Sequence, residues 1–514
     1  MKKNRSLLNV IVAIVFKLIL FPGNFLVRRY LIHLIGNEIN GIYSLYLSII
    51  GVLSVAELGI GEAIVFCMYK PIVEGDTEKT ASLYNLFKRI YFVIGLIIAV
   101  AGCAVMPFLP YLAKGHSAVD VNLYLTFGLM LVSVVMSYSF SAKTSLMNAY
   151  KDNYITTIIT SSGLLLQYVL QIAVLFITRS FVWYIICCII ANAVQWILTE
   201  IIIRKKYPSI EKNIAPKIDG ETKNQIVKNV KAMFMHRIGG VFVNMADNLI
   251  ISACLGIAIL GRYSNYTMVM TAMTGTMALF FTPLTSTIGH LFVKDKEAFK
   301  TYYSFFHAFN FALGCVFFLG YYAVINSVIS IFFGANLELN RAVIFVITLN
   351  HFIQFMRQTT LLFRDASGTF YHDRWKPLIE GGINLVLSIV FVLILRDFAG
   401  EEIAVVGVIL ATILTSLLVC HTVEPYVLHK HGMNSSPHKY FIQNYLYIAI
   451  FAIMLVILDF SMVSFENVWI ELLLNGLIAV GLAMIPIVAV LYFNKNFRSY
   501  VKSFLRKIKL KFVK

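Results

Sequence analysis

The chain has 514 residues, of which 13% are charged and 59% hydrophobic, and its formal net charge is +17. Soluble domains carry about 25% charged residues, so this composition, with a mean hydropathy of +0.79, excludes a cytosolic enzyme, a disordered chain and a nucleic-acid-binding domain. What remains is a polytopic membrane protein.

From the N-terminus, the basic stretch Met1 to Arg5 runs into an apolar segment that continues through Phe21-Pro22-Gly23 with no small-residue cleavage site. It reads as a first span rather than a signal peptide. A spanning helix needs about 20 apolar residues. Fourteen segments qualify, starting near Leu7, Ile39, Tyr91, Val121, Ile155, Phe181, Lys228, Ile257, Phe299, Ala342, Leu378, Glu402, Phe441 and Trp469. With the N-terminus placed inside, the inner segments hold 35 of the 43 lysines and arginines, the outer ones hold 7, and Lys17 falls within a span. That bias predicts cytoplasmic termini in a multi-pass protein of the cell membrane. The positive charge therefore orients the chain and requires no nucleic acid.

Two segments depart from the short loops. Residues 206–227, which overlap the polar stretch Arg204 to Gln225, read as a cytoplasmic linker between lobes. In the tail, 495–514, Phe497, Val501, Phe504, Leu505, Ile508 and Phe512 recur at helical spacing among eight basic residues. This predicts an amphipathic helix on the anionic inner leaflet. The seven cysteines lie in apolar stretches without CxxC spacing, which points to neither disulfides nor a metal site.

The chain also repeats itself. Asn9 to Tyr46 aligns without gaps to Asn229 to Tyr266, with nine identities in 38 positions, among them Gly36/Gly256, Gly41/Gly261, Tyr43/Tyr263 and Tyr46/Tyr266. At an offset of 221, Ala-Tyr-Lys-Asp-Asn-Tyr ending at Tyr154 faces Phe-Tyr-His-Asp-Arg-Trp ending at Trp375. Six spans separate the copies, so the halves share one topology and are related by an axis along the membrane normal. The expected fold is all-α, with about 14 transmembrane helices: a six-helix lobe at 1–205, the linker at 206–227, a pseudo-symmetric six-helix lobe at 228–428, two further helices at 429–494, and the tail.

The same alignment pairs charges, Lys17 with Arg237 and Lys143 with Arg364. Counted from Leu7, Lys17 lies about 15 Å into its helix, near the bilayer midplane. A Lys or Arg there costs about 2.5 to 3.5 kcal/mol on the insertion scale, so it faces a cavity, a counter-charge or a ligand. An ion pair with Glu57 or Asp247 is one reading of Lys17. Snorkelling to the inner face is the plain reading of Lys143 and Arg364. Asp247 and Glu57 are themselves candidates for proton or sodium coupling, or for ion pairing. No nucleophile elbow, phosphate loop or metal-binding pair occurs, and no outer segment is long enough for a catalytic domain, which weighs against an enzyme.

Several stretches, in order, carry a family likeness: Leu-Ile-Gly-Asn-Glu-Ile-Asn-Gly-Ile-Tyr-Ser-Leu-Tyr (Leu34 to Tyr46), His-Arg-Ile-Gly-Gly (His236 to Gly240), Ala-Asp-Asn-Leu-Ile-Ile-Ser (Ala246 to Ser252), Gly-Arg-Tyr-Ser-Asn-Tyr (Gly261 to Tyr266), and Phe363 to Pro377. Over nearly its whole length the sequence resembles the Wzx-type polysaccharide flippases of the multidrug/oligosaccharidyl-lipid/polysaccharide exporter superfamily, especially their Gram-positive members. The resemblance implies transfer of an undecaprenyl-diphosphate-linked oligosaccharide between leaflets by alternating access, with glycosyltransferases and a polysaccharide polymerase as pathway partners. It further implies a cationic cavity, a role that Lys17, Arg237, Lys143 and Arg364 fit by position and charge. No cofactor is expected beyond a coupling ion. The competing readings are a multidrug exporter, whose organic cations call for acids in the first lobe, a lipid II flippase, and a membrane glycosyltransferase or polymerase.

The topology has a direct test. Cysteines introduced at Lys212 and Lys502 should resist an impermeant thiol reagent in intact cells and react after permeabilisation; labelling of either in intact cells would overturn the assignment.

Overall fold

A computed structural model describes residues 2–57, 60–211, 246–281 and 284–502. Arg237, the linker beyond Glu211 and the tail beyond Lys502 lie outside them. Among the described residues all regular structure is helical. Ten helices are long and apolar enough to cross a membrane. The other four expected spans correspond to the bent pair Asn37–Leu53 and Ile60–Glu74, the short apolar helix Ala246–Leu255, the pair Ile257–Phe281 and Leu284–Lys294, and the helix Arg341–Ser367. Most of the seventh expected span, residues 228–245, lies outside the described residues; the other thirteen have helical counterparts, and the chain is a multi-pass, all-α membrane protein.

Two compact units divide the chain, Met1–Gly261 and Arg262–Lys514. The first contains α1 (Lys2–Ile35), α2 (Asn37–Leu53), a 3-10 turn at Ser54–Glu57, α3 (Ile60–Glu74), α4 (Thr77–Val105), α5 (Leu123–Ala149), α6 (Asn153–Thr178) and α7 (Phe181–Lys206). Side-chain caps start two of these helices: Asp76 accepts from the Lys79 amide at 2.8 Å, and Asn122 from the Leu125 amide at 3.0 Å. Helix α1 packs on α6, α4 on α5, and α5 on α7. Tyr84, Phe87, Tyr91, Leu146, Ile159 and Ile203 form the buried heart of this bundle.

The second unit begins within α8 (Ile257–Phe281) and continues through α9 (Leu284–Lys294), α10 (Lys296–Phe333), α11 (Arg341–Ser367), α12 (Lys376–Ala399), α13 (Glu401–Thr415), α14 (His421–Val427), α15 (His438–Ser461) and α16 (Val468–Phe493). Asp295, Asn340 and Asn467 cap α10, α11 and α16. Helix α10 packs against α11 and α16, and α12 against α13. Stacked aromatics tie the last helices to the rest, Phe352 on Phe451 at 3.6 Å and Phe311 on Tyr447 at 4.1 Å. A π-helical segment, Ser416–Cys420, joins α13 to α14, and a second, Leu428–Met433, follows α14.

The repeat has a structural reason at its glycines. Helix α1 stops at Ile35 and α2 starts at Asn37, while 220 residues later one helical segment stops at Leu255 and α8 starts at Ile257. The linking residues, Gly36 and Gly256, have φ of 108° and 106°, a region that L side chains rarely enter. One helical turn further on, α2 and the start of α8 touch backbone to backbone. A Cβ on Gly41 would lie 1.9 Å from the Ile257 carbonyl oxygen, and one on Gly261 would lie 2.4 Å from that of Asn37. The seam is stitched by Asn37 Nδ2, which donates to the Ala258 carbonyl at 2.9 Å, and by Asn40 Nδ2, which donates to that of Gly261 at 3.0 Å. Small residues permit such contact, and in hydrocarbon packing and hydrogen bonds replace the hydrophobic effect as the adhesive.

Gly41→Ala should therefore destabilise the protein by about 3 kcal/mol or more, because the clash is with a carbonyl oxygen that cannot swing away. Gly320→Ala, on α10 with nothing within 4 Å of the added Cβ, should be neutral or stabilise by up to about 1 kcal/mol. Thermal unfolding of the two variants in one detergent checks the contrast.

Candidate functional site

In the first unit, α1 and α6 line an open groove of about 330 Å³ beside Lys17. Helix α1 contributes Ala13, Phe16, Lys17, Leu20, Phe21 and Asn24, positions that fall on one face at helical spacing. From α6 come Thr157, Ser161 and Tyr168, again along one face. Gly23 allows the approach, since a Cβ there would lie 2.8 Å from the Tyr168 ring. The polar groups on this wall are one ammonium, one amide and three hydroxyls. Lys17 lies near the middle of α1, Lys2–Ile35.

The other charged positions singled out in the sequence are distributed differently. Lys143 is buried at the end of α5 and donates to Glu200 of α7, whose other oxygen accepts from Arg204 Nε at 2.7 Å. Arg364, its repeat counterpart, is buried at the end of α11, with Nη1 2.7 Å from Asp373 Oδ2 and Nη2 3.1 Å from Asp365 Oδ1. Both cations thus hold carboxylates in this structure. The repeat extends to the aspartates: Asp152 aligns with Asp373, is equally buried, and receives Lys206 at 2.6 Å and the Tyr207 hydroxyl at 2.5 Å. Glu57 is half-buried at the end of the 3-10 turn that interrupts the second span, with its carboxyl beside the Tyr138 hydroxyl. Asp247 is half-buried on the helix Ala246–Leu255, next to Asn248, whose Nδ2 donates to Ser48 Oγ at 2.9 Å.

The largest buried charge cluster escaped sequence reading. In the second unit, Glu424 of α14 is 1% exposed. Arg357 of α11 grips it with both arms of its guanidinium, Nη2 to Oε1 at 2.6 Å and Nε to Oε2 at 3.2 Å. Lys376 of α12 approaches the same carboxylate at 2.6 Å and Glu380, one turn along its own helix, at 2.9 Å. Arg357 also lies 3.6 Å from Glu380. Two cations and two carboxylates from three helices thus neutralise one another away from water. At the offset of 221 the first half carries Met136, Ile155, Ile159 and Ile203 instead, the last three in or against its apolar core. One signal was available in advance, the i,i+4 pair Lys376/Glu380. It was hidden because hydropathy began the eleventh span only at Leu378. Among the described residues no group of three or more His, Cys, Asp or Glu is placed to hold a metal ion.

Removing the central charge of this cluster leaves two cations to share Glu380, with one buried positive charge uncompensated. Glu424→Gln should cost about 3 to 5 kcal/mol of stability, whereas Glu200→Gln, whose carboxylate is 19% exposed, should cost much less because water reaches it. Unfolding midpoints and folded yield after detergent extraction give the comparison.

No protein-family model and no curated protein matches the sequence. The fold, however, has solved counterparts. A structure of the lipid II flippase MurJ in an inward closed conformation superposes with a TM-score of 0.63, covering 95% of this chain and 99% of that one at 14% identity. An inward-facing multidrug resistance MATE family transporter of the MOP superfamily superposes with a TM-score of 0.57, covering 80% of this chain and 97% of that one at 15% identity. At such identities the likeness is one of fold: this chain shares the architecture of these two membrane transporters.

Proposed function

We propose that the protein is a flippase that carries an undecaprenyl-diphosphate-linked oligosaccharide from the inner to the outer leaflet for cell-surface polysaccharide assembly. It would take this substrate from cytoplasmic glycosyltransferases and deliver it to a polymerase. The observation that carries the proposal is the groove beside Lys17, whose lining brings a cation together with an amide and hydroxyl groups from two helices. A diphosphate brings about two negative charges that must be matched wherever water is excluded. Lysine supplies a charge-assisted donor, and hydroxyl and amide groups complete the shell. A site for organic cations would have the opposite sign. The breadth of the fold likeness also favours the flippase reading, since the lipid II flippase covers 95% of the chain and the multidrug transporter 80%. In this reading Arg237 is the second-half counterpart of Lys17, Lys143 and Arg364 lend their positive ends to the substrate path while held by their acids, and Asp247 and Glu57 are the positions at which a proton or sodium ion would couple to transport.

A lipid II flippase is the second reading, favoured by the same superposition. Both readings require an anionic headgroup at Lys17. They part over the glycan, so fluorescent lipid-linked oligosaccharide and lipid II presented to the same proteoliposomes separate them.

Neutralising Lys17 removes one charge-assisted contact, and Lys17→Gln should reduce flipping by roughly ten- to a hundredfold while the protein remains abundant in the membrane. Lys17→Arg should keep more activity than Lys17→Gln. A fully active Lys17→Gln protein would overturn the diphosphate site, and loss of the variant from the membrane would point to a structural ion pair.

A further inference from the structure

At one end of the second unit, the beginnings of α10 and α15 and the end of α16 enclose a cavity of about 430 Å³. Its inner wall is apolar, formed by Phe311, Leu446, Ile450, Ala489 and Val490. Its mouth is polar, formed by Gln443, Asn494, Lys495 and Asn496. The mouth is fixed in place by the start of the tail. After α16 ends, Asn494 Oδ1 accepts from the Phe497 amide at 3.0 Å and so caps a helix described over 495–502. That helix is docked by its aromatic face: Phe497 is buried and stacks on Phe305 at 5.7 Å, and Tyr500 meets Phe305 at 4.7 Å and Tyr302 at 5.2 Å. The backbone amides of Lys495 and Asn496 open the first turn, where the helix carries its partial positive charge. Lys495 itself is exposed. Lys296, Lys300 and Lys439 lie in the first turns of α10 and α15, which form the same end of the unit.

An apolar face towards lipid needs only bulk acyl chains. A recess with a fixed, cationic, hydrogen-bonding mouth selects an amphiphile with an anionic head, and basic pockets between helices at the cytoplasmic boundary are the recurrent form of such sites. We propose that this cavity holds one anionic phospholipid, with an acyl chain along the apolar wall and the phosphate at Lys495 and the first amides of the tail helix. The bound lipid fastens the tail to the bundle. The site is separate from the Lys17 groove and does not depend on what the protein transports.

The test uses the full-length protein in a mild detergent, titrated with phosphatidylglycerol or phosphatidylcholine and read by native mass spectrometry. The expected result is one tightly retained phosphatidylglycerol, preferred about tenfold over phosphatidylcholine, a preference that Lys495→Gln abolishes. Lys502→Gln, farther along the same helix, should leave it intact. Ala489→Phe, which fills the recess, should remove retention of either lipid, and unfolding midpoints without added lipid verify that the variants are folded. Equal retention of the two lipids, or equal losses in Lys495→Gln and Lys502→Gln, would mean a generic basic surface and overturn the proposal. So would an Ala489→Phe protein that keeps phosphatidylglycerol as tightly as the parent chain.

Discussion

An ionised side chain inside a membrane-spanning bundle must be matched where it stands, because hydrocarbon offers no water to screen it. In the first unit the requirement is met by pairing between helix ends, Lys143 with Glu200, Lys206 with Asp152 and Lys88 with Glu211. These pairs tie α4, α5 and α7 to their neighbours at one level. In the second unit Arg357, Lys376, Glu380 and Glu424 fasten α11, α12 and α14 in the same manner, deeper and with full neutralisation. Helix positions that hydropathy alone leaves loose are set by these contacts.

The two halves solve one packing problem in two ways. Where the second half places its four-residue ion network, the first half has Met136 and three isoleucines. Replacing a buried ion cluster by apolar residues of similar volume is often neutral or stabilising, so the fold itself does not demand the charges. Their presence in one half only separates the halves chemically while the backbone keeps them alike. The Lys17 groove is a further departure: there a lysine lies beside amide and hydroxyl groups of α1 and α6.

Backbone irregularity is concentrated next to these charges. A 3-10 turn ends at Glu57 in the second span, and π-helical segments flank the turn that carries Glu424 in the twelfth. Departures from regular α-helix at membrane depth persist where they are buried in protein or line a cavity, and single π turns recur at functional sites. The glycine seam at Gly41 and Gly261 is the opposite case. There regular helices come so close that no side chain fits between them, and the hydrogen bonds of Asn37 and Asn40 hold the contact.

Membrane character, the all-α architecture, the internal repeat and the glycines at its seam were legible in the sequence. Hydropathy reports burial in lipid directly, and a duplicated backbone constraint such as φ above 100° at Gly36 and Gly256 leaves the same residue in both copies. Lys17 was legible too, because one cation in an apolar run needs no partner to be noticed. The carboxylates that hold Lys143 and Arg364, and the Arg357–Glu424 network, were not. Those partners come from different helices, or from turns that hydropathy counts as loop, and which charge meets which is decided by helix rotation and crossing rather than by order along the chain. Sequence determined that the chain is built of membrane-spanning helices and where they must be small. Tertiary structure decided which charges meet, because Coulomb attraction depends on distances that only packing sets.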